Sequence, residues 1–181
     1  MLIGEDTLLD KRPSQYTYRA SSFVWVLRLP IDLYNEVIRR NGLSDYVRRV
    51  ADLRIYLNTI SLFSEGLSVT VLGGIIDSAT ERNFQPNELI NGKDILVINI
   101  IRSGLVERTV DGKILDVLKP HDFFGEEGAI LKIPSLYRLR ALKVTSVLQI
   151  PGKLLGDVPI IRWKILEDYQ HRSTRIALGI N

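Results

Sequence analysis

The 181-residue sequence contains no cysteine, which excludes disulfides and thiolate metal sites. Its two histidines, His121 and His171, lie far apart and argue against a zinc or iron centre built by this chain alone. No apolar run comes near the roughly 20 residues that span a bilayer; Ile95 to Ile101 is among the longest. The N-terminus lacks a cationic segment followed by an apolar stretch. No membrane association and a cytoplasmic location are therefore expected. Charge of one sign is also lacking: 24 Lys and Arg are interspersed with 21 Asp and Glu, leaving a net +3. Nothing in that pattern calls for nucleic acid as a partner. What is present, 45% apolar and 25% charged residues, suits a globular chain with one well-packed domain and part of a second.

The chain repeats itself. Gly4 to Val37 aligns without a gap on Gly125 to Val158 at a constant offset of 121, with 13 identities in 34 positions. Ordinary composition would give roughly two. Among the matches are Gly4/Gly125, Glu5/Glu126, Lys11/Lys132, Pro13/Pro134, Ser14/Ser135, Tyr16/Tyr137 and Pro30/Pro151. Nothing before Gly4 corresponds to Leu62 through Phe124, so the first copy has only its back half. Phe23 to Leu27 then forms an apolar strand with no complete local sheet to cover it. Either the chain is a fragment cut inside a tandem array, or residues 1 to 56 complete their fold against another chain; a homo-oligomer, with a swapped dimer as one form, is the expectation from the second reading.

Turn residues and periodicity divide the remainder. Tyr16 to Ala20 and Ser22 to Leu29 read as strands. Pro30 opens a helix that Asn41-Gly42 stops, and Ser44 caps a second helix reaching about Asn58. A third runs from about Ser68 to Ala79. Short apolar runs follow at Arg82 to Phe84, Glu88 to Ile90, Ile95 to Arg102, Leu105 to Val110 and Lys113 to Leu118. Between them stand Pro86-Asn87, Asn91-Gly92, Ser103-Gly104 and Asp111-Gly112, the last a strong hairpin signal. Tyr137 to Val144 and Ser146 to Ile150 complete the strands, and Pro151 begins a helical tail with Ile161, Ile165 and Tyr169 on one face. The expected class is mainly β with flanking helices, a sandwich or roll.

Leu62-Phe63-Ser64, Gly66-Leu67-Ser68, Phe84 to Ile90, Ser103-Gly104, Asp122-Phe123-Phe124-Gly125-Glu126 and Pro134 occur in an order that resembles the cyclic-nucleotide-binding domains. The resemblance implies a jelly-roll or β-roll, the double-stranded β-helix of that family. It implies the back half of such a domain over 1–41, a helical linker over 42–60, and a complete domain with its C-terminal helix over 61–181. It also implies a phosphate-binding cassette that takes a small anionic ligand such as cyclic AMP or cyclic GMP. The candidate ligand-binding residues are Phe124, Gly125, Glu126, Glu127, Gly128, Ala129, Ser135, Leu136 and Arg138. A glycine turn entering a short helix aims backbone N–H groups at an anion, and Glu126 can accept a hydrogen bond from a ribose hydroxyl. The family places arginine directly after the cassette proline, where this chain has Ser135 and, in the half copy, Ser14. A serine hydroxyl supplies no charge, whereas hydrogen bonds to a charged group contribute about 1.5–3 kcal/mol each. Arg138 lies close enough to substitute if the strand phase turns it inward.

Acidic residues gather at helix N-termini for dipole reasons alone, so Glu126-Glu127 does not by itself signal acid/base catalysis. The expectation is a regulatory sensor and not an enzyme, with no cofactor, in which pocket occupancy alters the packing of the helix after Pro151. The alternative is a degenerate roll that serves as an interaction or oligomerisation module. Trp163 or Tyr169 is a candidate lid over a base, with ordinary packing as its plainer role. A cupin-type metalloenzyme would need more histidines, and no helix-turn-helix fits in the roughly 10 residues after the tail's apolar stripe.

Overall fold

A computed structural model describes residues 4, 13, 17–64, 67–90 and 96–178. Asn91-Gly92, Ser14 and Tyr16 lie outside the described residues. The chain divides into two compact units, Met1–Tyr56 and Leu57–Asn181.

In the first unit Pro30, at φ −59°, leads into α1 (Ile31–Arg40), with Asp32 in its first turn and Arg39 and Arg40 in its last. This charge order complements the helix dipole. Asn41 closes the helix by donating from its backbone N–H and its side-chain amide to the Val37 carbonyl, at 3.1 and 2.7 Å. Gly42 follows at φ +64°, and α2 (Ser44–Asn58) crosses the division between the units. Ser22 to Leu29, expected as a strand, is not one, and neither is the described part of Tyr16 to Ala20. Strands are made by partners. The repeat equivalent of Ser22 to Leu29 is flanked by strands on both edges, and no described residue of 1–56 forms a strand that could pair with it. Phe23, Trp25, Val26 and Leu27 accordingly remain exposed.

In the second unit, α3 (Val69–Ser78) has Ser68 as its N-cap, which accepts the Val71 N–H at 3.2 Å. Among the described residues seven strands follow: β1 (Thr80–Phe84), β2 (Val97–Ser103), β3 (Val106–Val110), β4 (Lys113–Leu118), β5 (Phe123–Phe124), β6 (Arg138–Ala141) and β7 (Thr145–Pro151). They form two antiparallel sheets ordered β1-β7-β2-β5 and β4-β3-β6. Leu89 adds one bridge to Arg140. Asp111 and Gly112 both have positive φ, as a two-residue β3–β4 hairpin turn requires.

Successive strand residues face opposite sides, and the two sheets use both. Phe84, Ile101, Val106, Leu118, Phe124, Ala141 and Val147 meet between the sheets as a buried core. The neighbours Ile98, Ile100, Leu148 and Ile150 are also fully buried, and their alternation with Ile101 and Val147 turns them to the other face. There α3 and α4 (Gly152–Gly156) contact β7, and α5 (Pro159–Leu178) packs on α4. Ile161 and Ile165 are fully buried, whereas Tyr169 on the same stripe is half-buried. The fold is a mainly antiparallel β-roll with flanking helices.

Candidate ligand site

The site lies where β5 leaves the roll. Asp122 accepts the Lys119 N–H on its carboxylate at 2.8 Å, and the backbones of His121 and Asp122 bond to Ile101. His121 has φ +79°, a conformation that favours glycine, which fits its place in a tight turn. Phe124 then pairs with Asn99 of β2 and buries its ring in the core. Gly125 turns at φ +95° so close to β2 that a Cβ would sit 2.8 Å from the Val97 carbonyl oxygen. The next residues form a π-helical turn, Glu127–Leu131, ended by Lys132 in the left-handed region. Ala129 in this turn lies against Gly152 at the start of α4. The Lys132 ammonium bonds the Ala129 carbonyl at 2.9 Å, tying the cassette's cation to its own backbone.

Behind the turn the roll's interior changes from apolar to charged. Arg108 stands two residues after Val106 on β3 and so shares its inward face. It donates from Nε and Nη2 to the two carboxylate oxygens of Asp116 on β4, both at 2.9 Å. Its guanidinium carbon lies 4.9 Å from the centre of the Tyr137 ring. The guanidinium of Arg172, from α5, is 5.9 Å from the same ring centre. Arg172 extends the buried stripe of Ile161 and Ile165 by two further helical turns. It donates to the carboxylates of Glu126 and of Asp168. Glu126 is fully buried, and Arg108, Glu127 and Arg172 nearly so.

This cluster is not internally satisfied. Arg108 Nη1, Glu126 Oε2 and Arg172 Nε are all buried without a hydrogen-bond partner among the described residues. Groups of this kind cost about 1–3 kcal/mol each when unpaired. Burial raises the Glu127 pKa above the ordinary carboxylate value, against the opposing pull of its backbone hydrogen bond and Arg108. Asp168 is raised for the same first reason, and burial followed by Glu127 pushes the Tyr137 hydroxyl up. Burial and then Arg108 lower Arg172 to about 9, which leaves it charged at neutral pH.

The Glu127 shift has a testable sign. An acid whose folded pKa is raised holds its proton in the fold after the unfolded chain has released it, so stability falls as pH climbs from about 4.5 to the raised value. Glu127→Gln is expected to remove this loss: its melting temperature should exceed the wild type by a few degrees at pH 7 and converge with it as pH falls towards 4.5. Thermal melts across that range check it, and a constant difference would assign the gain to packing instead.

The sequence-derived candidates divide into two groups. Glu126, Glu127 and Ala129 are enclosed, Gly125 and Gly128 are half-buried, and all belong to the turn beside the charged cluster. Ser135, Leu136 and Arg138 are exposed. The Ser135 hydroxyl accepts the Tyr137 N–H at 3.3 Å. Tyr137 is the residue that points inward, so strand alternation sends Arg138 out. Sequence reasoning missed Arg108, Asp116, Asp168 and Arg172. The one available signal was a charged residue at inward phase in β3 and in the tail stripe.

A cavity of about 320 Å³ opens beside the cluster, lined by Arg108, Asp116, His121, Asp122, Asp168, His171, Arg172 and Arg175 among others. A second, of about 410 Å³, shares Ser61, Phe123, Asp168 and His171 with it and adds Leu62, Trp163 and Lys164. Both fall within the 300–1,000 Å³ typical of small-molecule sites. No cassette residue lines either one; Arg172, which bonds Glu126, lines the first.

No curated protein matches the chain. Among solved structures it resembles the regulatory domain of Toxoplasma gondii protein kinase A with cAMP, at 16% identity and TM-score 0.62, over 79% of this chain and 56% of that one. It also resembles the regulatory subunit of a cAMP-independent protein kinase A from Trypanosoma cruzi bound to guanosine, at 18% identity and TM-score 0.59, over 83% and 56%. A third is the Trypanosoma brucei counterpart, a triple mutant with one threonine changed to arginine, bound to cAMP, at 16% identity and TM-score 0.60, over 78% and 56%. The chain thus spans little more than half the length of these structures. Residues 81–158 match the cyclic nucleotide-binding domain family, and the chain carries that family's β-roll.

Proposed function

We propose that this chain is a regulatory, ligand-sensing domain in which a small molecule at the cassette displaces Arg172 from Glu126 and loosens α5 from the roll. The observation that carries this reading is the Glu126–Arg172 pair. It joins the cassette to the tail helix at a fully buried carboxylate, so any ligand that takes Glu126 must act on α5. A ligand shifts a conformational balance only through unequal affinity for its two states. Competition for one carboxylate supplies that inequality.

The relatives bound to cAMP and to guanosine support a nucleoside-containing ligand. Trp163, 57% exposed on the wall of the second cavity, suits a flat ring better than it suits a core. Glu126 and Glu127 act here as binding groups, and no bond-making step is assigned to them. Hydrogen exchange tests the reading: saturating guanosine or cAMP is expected to speed exchange in the C-terminal half of α5, and Glu126→Ala should abolish the response. Unchanged exchange with bound ligand would refute the coupling.

A further inference from the structure

We infer that the ligand of this site is an uncharged, hydroxyl-bearing molecule of nucleoside size and not a cyclic phosphate, an inference that rests on the sensor reading above. Charge is the first ground. Around the cassette two guanidiniums, Arg108 and Arg172, face four carboxylates, Asp116, Glu126, Glu127 and Asp168. At the cavity rim Arg175 and Asp122 offset each other. The cations are also already engaged. Arg108 gives two donors to Asp116, Arg172 gives one each to Glu126 and Asp168, and Lys132 is bonded to a backbone carbonyl. Ser135 is neutral, and Arg138 points away. An added phosphate would find no surplus cation among these groups.

The second ground is the kind of groups left over. Two can donate, Arg108 Nη1 and Arg172 Nε, and one can only accept while ionised, Glu126 Oε2. A phosphate offers acceptors alone and cannot satisfy the Glu126 oxygen, which falls to the one ribose hydroxyl that a cyclic nucleotide keeps. Hydroxyls donate and accept, and can satisfy both kinds.

Calorimetric titration of guanosine, adenosine, cyclic GMP and cyclic AMP into the intact chain tests this, with Ser135→Arg as a second protein. At least one nucleoside is expected to bind on the order of a hundredfold more tightly than its cyclic phosphate, the penalty of a like charge several ångströms away in a partly buried site. Ser135→Arg should narrow that ratio about tenfold or more by supplying a charge-assisted bond. A wild-type protein that binds the cyclic phosphate as tightly as the nucleoside overturns the inference and leaves the sensor reading standing. If none of the four binds, both fail.

Discussion

Arg172→Ala is expected to destabilise the second unit by about 3–5 kcal/mol, the usual cost of removing one partner from a buried ion pair. The reason is the state in which it leaves Glu126. That carboxylate is fully buried, and one of its oxygens already lacks a partner. Without Arg172 it loses the other contact too and must either stay charged in a dry interior or take up a proton. Asp168 loses its partner as well, but with a half-exposed side chain it can turn to water. The pair's net worth is a different quantity. Combining Arg172→Met with Glu126→Gln removes both charges and is expected to recover most of the loss, because isosteric replacement of a buried pair is often nearly neutral. Chemical denaturation of the two single variants and the double variant completes the cycle. A loss below about 1 kcal/mol for Arg172→Ala would mean that the pair behaves as a surface one.

Gly125→Ala is expected to cost about 3 kcal/mol, from two effects that can be separated. A residue with a Cβ is strained at φ +95°, by about 1–3 kcal/mol. The new methyl would also meet the Val97 carbonyl oxygen at 2.8 Å and the Asn99 side-chain nitrogen at 3.2 Å, part of a strand that cannot give way cheaply. Gly112 provides the control, since it has φ +78° and an added methyl there would meet nothing within 4 Å, so Gly112→Ala carries backbone strain alone. Thermal melts should show a clearly larger drop for Gly125→Ala, at about 2–4 °C per kcal/mol for a chain of this size. Equal drops would show that the cassette turn moves off β2 without penalty.

Most strands and helices were legible because each depends on local punctuation. Asp111-Gly112 set the β3–β4 hairpin, Ser68 set the start of α3, and Pro30 and Asn41-Gly42 bracketed α1. The failure at Ser22 to Leu29 has the opposite cause: its apolar alternation is strand-like, but pairing depends on residues elsewhere in the chain. The cassette turn could be placed from Gly125-Glu126, whereas its charged surroundings could not. A regular two-residue hairpin would set Arg108 opposite Leu115, and only the register shift between Arg108 and Thr109 brings Asp116 there. Arg172 reaches Glu126 across 46 positions, through the docking of α5, which no local pattern encodes. The phase of Arg138 became certain only once Tyr137 was seen to be the buried residue.

The most direct test is hydrogen exchange along α5 with and without saturating guanosine. The N-terminal half is held by buried Ile161 and Ile165 and by the Lys164 ammonium on the Ser61 carbonyl at 2.7 Å. Within Asp168 to Leu178 the buried residue is Arg172, which bonds Glu126 on the roll. The predicted result is faster exchange confined to Asp168–Leu178 when the ligand binds, with Pro159–Ile165 and strands β2 and β7 unchanged. Bound guanosine with the same or slower exchange in Asp168–Leu178 would contradict displacement of Arg172 and the sensing role built on it.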